Sequence, residues 1–351
     1  MSAASYLQLI NTRYPIIQAP MAGVQDSRLA LAVTRAGGLG SVPCGMLDAA
    51  QVRAEIAKLR AADAAIYNLN FFCHTLPELD WNVQARWLQR LQPYFAELEL
   101  EFDPQQLGAL RLPFDHQMAD AIAEFAPPVM SFHFGLPDAQ LLQRVKQWGA
   151  VVMASATTKA EGMWLQQHGA DIVIAQGAEA GGHRGMFLNL DVTEQPSTSH
   201  LLAELCSVLD VPVVAAGGIA DMEQIHTMMQ SGASAVQIGT AYLLCDEAIT
   251  TPLHRDALMS GPHQQTELTN LFSGRPARGI ANRLMRDLGN LHQDAPPFPY
   301  AAIAINQLRK AAEAKGRADF TPLWSGQNRT GCKAISAYEL TFEFAQAFSI
   351  S

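Results

Sequence analysis

Basic side chains are scarce in this sequence: 24 Lys and Arg stand against 33 Asp and Glu, for a formal net charge of −9. Such a chain has no positive field to hold a phosphate backbone, which argues against a general nucleic-acid binder. Cysteine is also sparse. Cys44, Cys73, Cys206, Cys245 and Cys332 are odd in number, scattered, and form no C-x-x-C pair. That pattern fits buried thiols in a reducing compartment and argues against structural zinc, and no metal site is expected. No apolar run approaches the roughly 18 residues of a membrane span, and the opening MSAASYLQLINTRYP has no basic leader. A cytoplasmic protein is expected. Neither G-x-x-x-x-G-K-[ST] nor an early G-x-G-x-x-G is found, which disfavours a nucleotide triphosphate and a Rossmann dinucleotide site.

What is present is a rhythm. Eight short apolar runs end in small or turn-forming residues: PIIQAP (15–20), GLGSVP (38–43), IYNLNF (66–71), VMSFHF (129–134), VVMASA (151–156), IVIAQG (172–177), VVAAGG (213–218) and AVQIGT (235–240). Between them lie amphipathic stretches such as SRLALAVTRAGG and DMEQIHTMMQSGA, several ending at Gly, where a helix can stop in a left-handed turn. Continuous apolar strands alternating with helices predict a parallel sheet covered by helices. Eight units suit a (β/α)8 TIM barrel, with an open doubly wound sheet as the alternative.

Two stretches break the rhythm. Residues 72–128 read as a helical insertion after the third strand, expected over the barrel mouth. Past residue 245, TPLHRDALMSG, LTNLFSGRPARGIANRLMRDLG and AAIAINQLRKAAEAKG read as helices. The expected organisation is a barrel over 1–245, a smaller, mainly helical C-terminal subdomain over 246–325, and a return to the barrel over 326–351. No repeat beyond the βα unit and no low-complexity tract is evident.

In a closed βα barrel, ligands bind at the carboxyl ends of the strands, with phosphates commonly after the seventh and eighth. The seventh run ends in Gly217 and Gly218, and the eighth in Gly239 and Thr240. Bare backbone N–H groups and a following helix start suit a phosphate there, so the pair of motifs points to a phosphorylated cofactor; tight turns are the alternative for either motif alone. After the first run, Met21 and Ala22 sit on a backbone-exposing bend along which a flat ring could lie, although Met equally fills gaps in a core. Asn68, Asn70 and Gln176 place amides where a polar ligand edge, or a neighbouring loop, would satisfy them. The loop after the sixth run, GAEAGGHRG, strips its side chains around one imidazole, His183. On a strand-end loop that group is the candidate acid or base, and His133, ending the fourth run, is the candidate substrate ligand. Cys73 and His74 show no metal spacing and read as pocket or loop residues. Glu179 and Arg184 are expected to pair with each other or cap the loop.

Taken together, PIIQAPMAGV, AGGLGS, NLNFF, GADIVIAQGAEAGGHRG, PVVAAGGIAD, GASAVQIGTAYLLCDEA and WSGQ (324–327) resemble the nitronate monooxygenases, formerly called 2-nitropropane dioxygenases, over nearly the whole chain. The resemblance implies non-covalent FMN, approached by Met21 and Ala22 at the ring, by Asn70 and Gln176 at its polar edge or ribityl phosphate, and by Gly181, Gly217, Gly218, Gln237, Gly239 and Thr240 at the tail and phosphate. It matches His183 to the family's active-site histidine. It implies oxidation of an alkyl nitronate, such as propionate 3-nitronate, by O2 to a carbonyl compound and nitrite. His183 would then be a hydrogen-bond donor or charge partner to the nitronate, or the base for a neutral nitroalkane. The chain departs from the family's first motif at Val24, Gln25 and Asp26. The rival implied by related flavin barrels is an FMN-dependent enoyl-thioester reductase or NAD(P)H:quinone reductase; a non-catalytic flavin-binding protein is a further alternative. A monomer or homodimer is expected.

Overall fold

The computed structural model describes residues 2–108, 110–260 and 265–348. All eight apolar runs form strands of one parallel sheet: β1 (Ile16–Gln18), β2 (Ser41–Pro43), β3 (Asn68–Phe72), β4 (Val129–His133), β5 (Val151–Ala156), β6 (Ile172–Gln176) and, after the short β7 (Gly182–His183), β8 (Val213–Ala216) and β9 (Ala235–Ile238). Their order is β1-β9-β8-β6-β5-β4-β3-β2. The ring closes where Leu39, just before β2, exchanges backbone hydrogen bonds with Ile16 and Gln18 at 2.8 and 3.0 Å. The closed barrel, rather than the open sheet, is the fold.

Local chemistry sets the helices between these strands. Asp26, Asp48, Asp138, Thr158, Ser197 and Asp221 each accept a backbone N–H of the first helical turn following them. Each such cap stabilises by about 1 kcal/mol and fixes where the chain leaves the strand-end loop. The barrel interior is plugged from the N-terminal ends of the strands by helix Ala3–Ile10, whose Tyr6 and Ile10 are fully buried among Val129, Ile172 and Ala235. That plug leaves only the opposite end open to a ligand. Helix Ala337–Ala345 packs on Ser27–Arg35, with the hydroxyls of Tyr242 and Thr341 2.8 Å apart. Residues 349–351 of the segment expected to return to the barrel lie outside the described residues.

Two expectations are corrected. Residues 72–128 do not form one insertion, because His116–Ala123 packs on the helices at 49–61 and 139–147 as an ordinary member of the outer ring. Only Trp81–Glu97 with its flanking loops is added, and it does not stand alone. Trp87, Leu91, Tyr94 and Phe95 share a second apolar cluster with Phe272, Leu284, Ile305 and Phe320. The insertion and the segment after 245 are thus one body. Within the latter, LTNLFSGRPARGI is not helical: β10 (Thr266–Thr269) and β11 (Ala277–Ile280) form an antiparallel hairpin. Gly274 and Pro276 forbid a helix through the turn. β11 pairs on with β7, Ala277 opposite His183, so this small sheet grips the histidine loop.

Candidate active site

At the C-terminal ends of the barrel strands lies a deep cavity lined by Met21, Ala22, Asn70, His133, Gln176, Gly181, His183, Gly217, Gly218, Gln237, Gly239 and Thr240, so these twelve of the residues singled out from the sequence lie together. They do not, however, all face it in the expected way.

His183 is placed by its own backbone. Its carbonyl accepts from Gln176 Nε2 at 2.9 Å and from His133 Nε2 at 3.1 Å, while Gln176 Oε1 accepts the Gly185 N–H at 2.7 Å. Both ends of the Gln176 amide thereby hold the loop, and one N–H of its NH2 group remains beyond these contacts. His133 is similarly committed. Because a carbonyl only accepts, Nε2 carries the proton, and Nδ1 accepts from the Ser155 hydroxyl at 3.1 Å. With both ring nitrogens occupied by protein partners, His133 holds the His183 loop while its ring lines the cavity. Arg184 completes the anchor. It is fully buried and donates to the carbonyls of Gln176 and Gly177, both at 2.7 Å, and to Gln195 Oε1 at 2.8 Å. Burial, and next the nearby Arg278, pull it down to about 9, which leaves it charged at neutral pH. Glu179 instead accepts from the backbone and hydroxyl of Thr198, so the expected Glu179–Arg184 pair does not form.

The His183 ring lies among Phe298, Trp324, Phe134 and Phe72, at centroid distances of 5.4, 5.6, 6.1 and 6.3 Å. Its Nε2 is 2.8 Å from Ser273 Oγ. Burial first, then the positive field of Arg111, holds its pKa well below the ordinary imidazole value. That direction favours the neutral ring. Positive charge in the cavity comes from elsewhere: Arg111 and Arg309 line it, the latter paired with Glu313 at 2.7 Å, and no carboxylate among the described residues lines it. Burial pulls Arg111 down to about 10, still cationic. In a chain of net charge −9 this is a local inversion of sign that favours an anionic ligand.

Gly217 and Gly218 have φ of +127° and +73°, and the N–H groups of Gly217, Gly218 and Gly239 donate to no protein acceptor among the described residues. Thr240 opens a 3-10 helix and its Oγ1 accepts the Gly326 N–H at 2.9 Å. Gly181 is required by packing: a Cβ there would sit 2.4 Å from Gly326 N. Gln237 Oε1 is buried without a partner. An unpaired acceptor and a row of free N–H donors fit a ligand with a polar ring edge at one end and a phosphate at the other.

At Met21 the structure accounts for the departure from the first motif. The Met21 N–H is taken by Gln25 Oε1 at 2.8 Å, and Gln25 Nε2 reaches the Ser41 carbonyl at 2.6 Å. Asp26 caps the next helix. Asn70 donates to Ser131 Oγ at 3.0 Å, while Asn68 is buried in the same cluster and does not line the cavity. Neither Cys73 nor His74 lines it either; His74 packs edge-on to Phe298 behind the histidine. The sequence reading missed Arg111, His254, Arg309 and Trp324. His254 Nε2 donates to the Trp324 carbonyl at 3.1 Å and thereby ties the helix starting at Pro252 to the WSGQ segment. These four come from the added body; an insertion over the barrel mouth is expected from the sequence, but no local pattern picks out these side chains as cavity-lining.

A closed βα barrel that gathers glycine N–H groups without protein acceptors among the described residues, a buried unpartnered amide oxygen and a histidine at one rim has the form of a cofactor-dependent barrel enzyme. A family model described as nitronate monooxygenase matches residues 4–346. The chain is 38% identical over 338 residues to nitronate monooxygenase of Pseudomonas aeruginosa, spanning 95% of this chain and 96% of that one. With nitronate monooxygenase of Paraburkholderia phytofirmans the identity is 37%, over 95% and 92% of the two chains. The structure of nitroalkane oxidase from Streptomyces ansochromogenes superposes with a TM-score of 0.88 at 36% identity, covering 98% of this chain and 99% of that one. FabK from Thermotoga maritima, at 22% identity and a TM-score of 0.73, shares the fold. The chain belongs to the nitronate monooxygenase family, and it is a flavin-dependent oxidoreductase.

Proposed function

We propose that this chain oxidises alkyl nitronates, propionate 3-nitronate among them, with O2 to a carbonyl compound and nitrite, using FMN as the flavin. The observation that carries the reading is the juxtaposition, in one cavity, of His183, the Arg111 charge and a single row of glycine N–H groups that donate to no protein acceptor among the described residues. Gly217, Gly218, Gly239 and Thr240 would hold the phosphate, Gln237 would accept from the ring edge, and Met21 and Ala22 would flank the ring. The flavin, when bound, supplies the electron transfer between nitronate and O2. The protein's own part is placement. Arg111 would attract the anion, the Phe72, Phe134, Phe298 and Trp324 side chains would exclude water, and His183 would face the reacting carbon and nitro group. With a neutral nitroalkane, the same imidazole removes the α-proton.

The test is a visible absorbance spectrum of the purified protein, mass analysis of the flavin released on denaturation, and anaerobic titration with propionate 3-nitronate. Bleaching by the nitronate and not by NAD(P)H is expected. A colourless protein that cannot be reconstituted, or rapid bleaching by NAD(P)H alone, defeats the reading in favour of a reductase or a different ligand.

A further inference from the structure

The turn between β10 and β11 places one buried hydroxyl against the active-site imidazole. Ser273, 1% exposed, has its Oγ 2.8 Å from His183 Nε2, 3.4 Å from the carbonyl oxygen of Arg275 and 3.5 Å from the Arg275 backbone nitrogen. Neither backbone group of Arg275 has another protein partner among the described residues. A hydroxyl has one proton to give and two lone pairs to offer. All three neighbours are satisfied at once in only one way: the hydroxyl donates to the Arg275 carbonyl and accepts from the Arg275 N–H and from His183 Nε2–H. If it donated to His183 instead, the carbonyl of the half-buried Arg275 would lose its one protein partner among the described residues.

We infer that Ser273 is a positioning residue that fixes His183 as the Nε2–H tautomer, leaving Nδ1 as the lone-pair base toward a neutral nitroalkane. Nδ1 has no protein partner among the described residues, and the ring lines the cavity. In the step so set up, the α C–H proton passes to Nδ1, the C–H electron pair becomes part of the C=N bond of the nitronate, and the imidazolium later returns its proton to solvent. No oxidant enters that step. The geometry is held by more than the one contact. Gly274, at φ +91°, lies so close to Pro296 that a Cβ would be 2.1 Å from its carbonyl oxygen, and β11 pairs directly with the His183 strand. The inference rests on the proposed nitronate chemistry but concerns only proton location.

Nitrogen-15 NMR of histidine-labelled, flavin-loaded enzyme reads that location, with the His183 signal assigned by its loss in His183→Asn. The expected wild-type signals are a protonated Nε2 and an unprotonated Nδ1; a protonated Nδ1 overturns the inference without any variant. In Ser273→Ala the tautomers should mix, and kcat on a neutral nitroalkane should fall by about tenfold or more relative to kcat on the preformed nitronate, within the range of general-base effects. Ser273→Thr, which keeps the hydroxyl, should restore the ratio. Equal loss on both substrates, or none, also overturns it. Oxidation of preformed nitronate by the wild type, measured on the same preparation, tests the parent reading separately.

Discussion

His133 reaches across from the end of β4 to donate to the backbone carbonyl of His183 at 3.1 Å, so that one histidine holds the main chain of the other. The pair divides labour that their sequence positions alone present as equivalent. Both end or follow a barrel strand, but only His183 keeps a ring nitrogen without a protein partner among the described residues.

Replacing His183 with Asn should leave the flavin bound and lower turnover by about a hundredfold, the lower part of the range for a lost acid or base. Nitrite release and O2 uptake measure this. Near-normal turnover would remove His183 from the chemistry.

His133→Phe should act more mildly. The aromatic volume stays, but the His183 carbonyl loses one of its two donors. A loss of about 1–3 kcal/mol of buried hydrogen bonding translates into a kcat reduction of roughly ten- to a hundredfold. The visible spectrum should be unchanged, since no flavin contact is removed. A rise in KM with kcat intact would mean that His133 binds substrate after all.

Gly181→Ala should cost the cofactor rather than the rate constant. Its Cβ would lie 2.4 Å from Gly326 N and 2.6 Å from Ser325 C, prising the WSGQ segment from the phosphate side. The expected outcome is protein purified with little bound flavin, seen as a reduced visible-to-ultraviolet absorbance ratio. Full occupancy would show that the segment can retreat without harm.

Arg111→Gln should raise KM for an anionic nitronate by roughly tenfold, the scale of a charge interaction at an effective dielectric near that of a protein surface. The KM of a neutral nitroalkane should change little. Comparable changes for both substrates would separate Arg111 from electrostatic attraction.

Stability should fall on mild acidification. Burial lowers His74, His133 and His254 to about 4 each in the folded protein, against about 6.5 in an unfolded chain. Between these values the unfolded state binds more protons, so the contribution is complete above pH 6.5 and is lost as the pH drops toward 4. Each group adds a slope of at most about 1.4 kcal/mol per pH unit. Urea midpoints from pH 7 to 4.5 report it; a flat profile would contradict neutral burial of these rings.

The eight barrel strands were legible because each is buried on both faces and so reads as an unbroken apolar run, as in IVIAQG, where β6 is buried throughout. The glycines at the ends of the seventh and eighth runs were legible for a local reason: Gly218, at φ +73°, takes a left-handed conformation that glycine adopts without strain. The β10–β11 hairpin was not. Its strands are four residues each, and TELTNLF carries no alternation that distinguishes it from a helix turn. Nor could spacing reveal that the amide of Gln176 is spent on Gly185 and His183, or that Ser273, 90 residues beyond His183, touches its ring. Those facts are distances between segments, and hydrogen-bond inventories close only in three dimensions.

The union of the Trp81–Glu97 helix with residues 270–320 has a consequence for biosynthesis. A chain emerging from the ribosome has all eight barrel strands once residue 238 is out, yet Gln84 must wait for Tyr300, Arg90 for Asp294 and Glu97 for Arg283 and Arg317. Such long-range closure is slow relative to local helix and turn formation. Until then Trp87, Leu91 and Phe95 have no apolar surface to cover them, and Arg309 and Trp324 are missing from the pocket. The nascent barrel therefore passes through a stage in which its redox site is unroofed, and holoenzyme assembly is a late event in the life of the polypeptide.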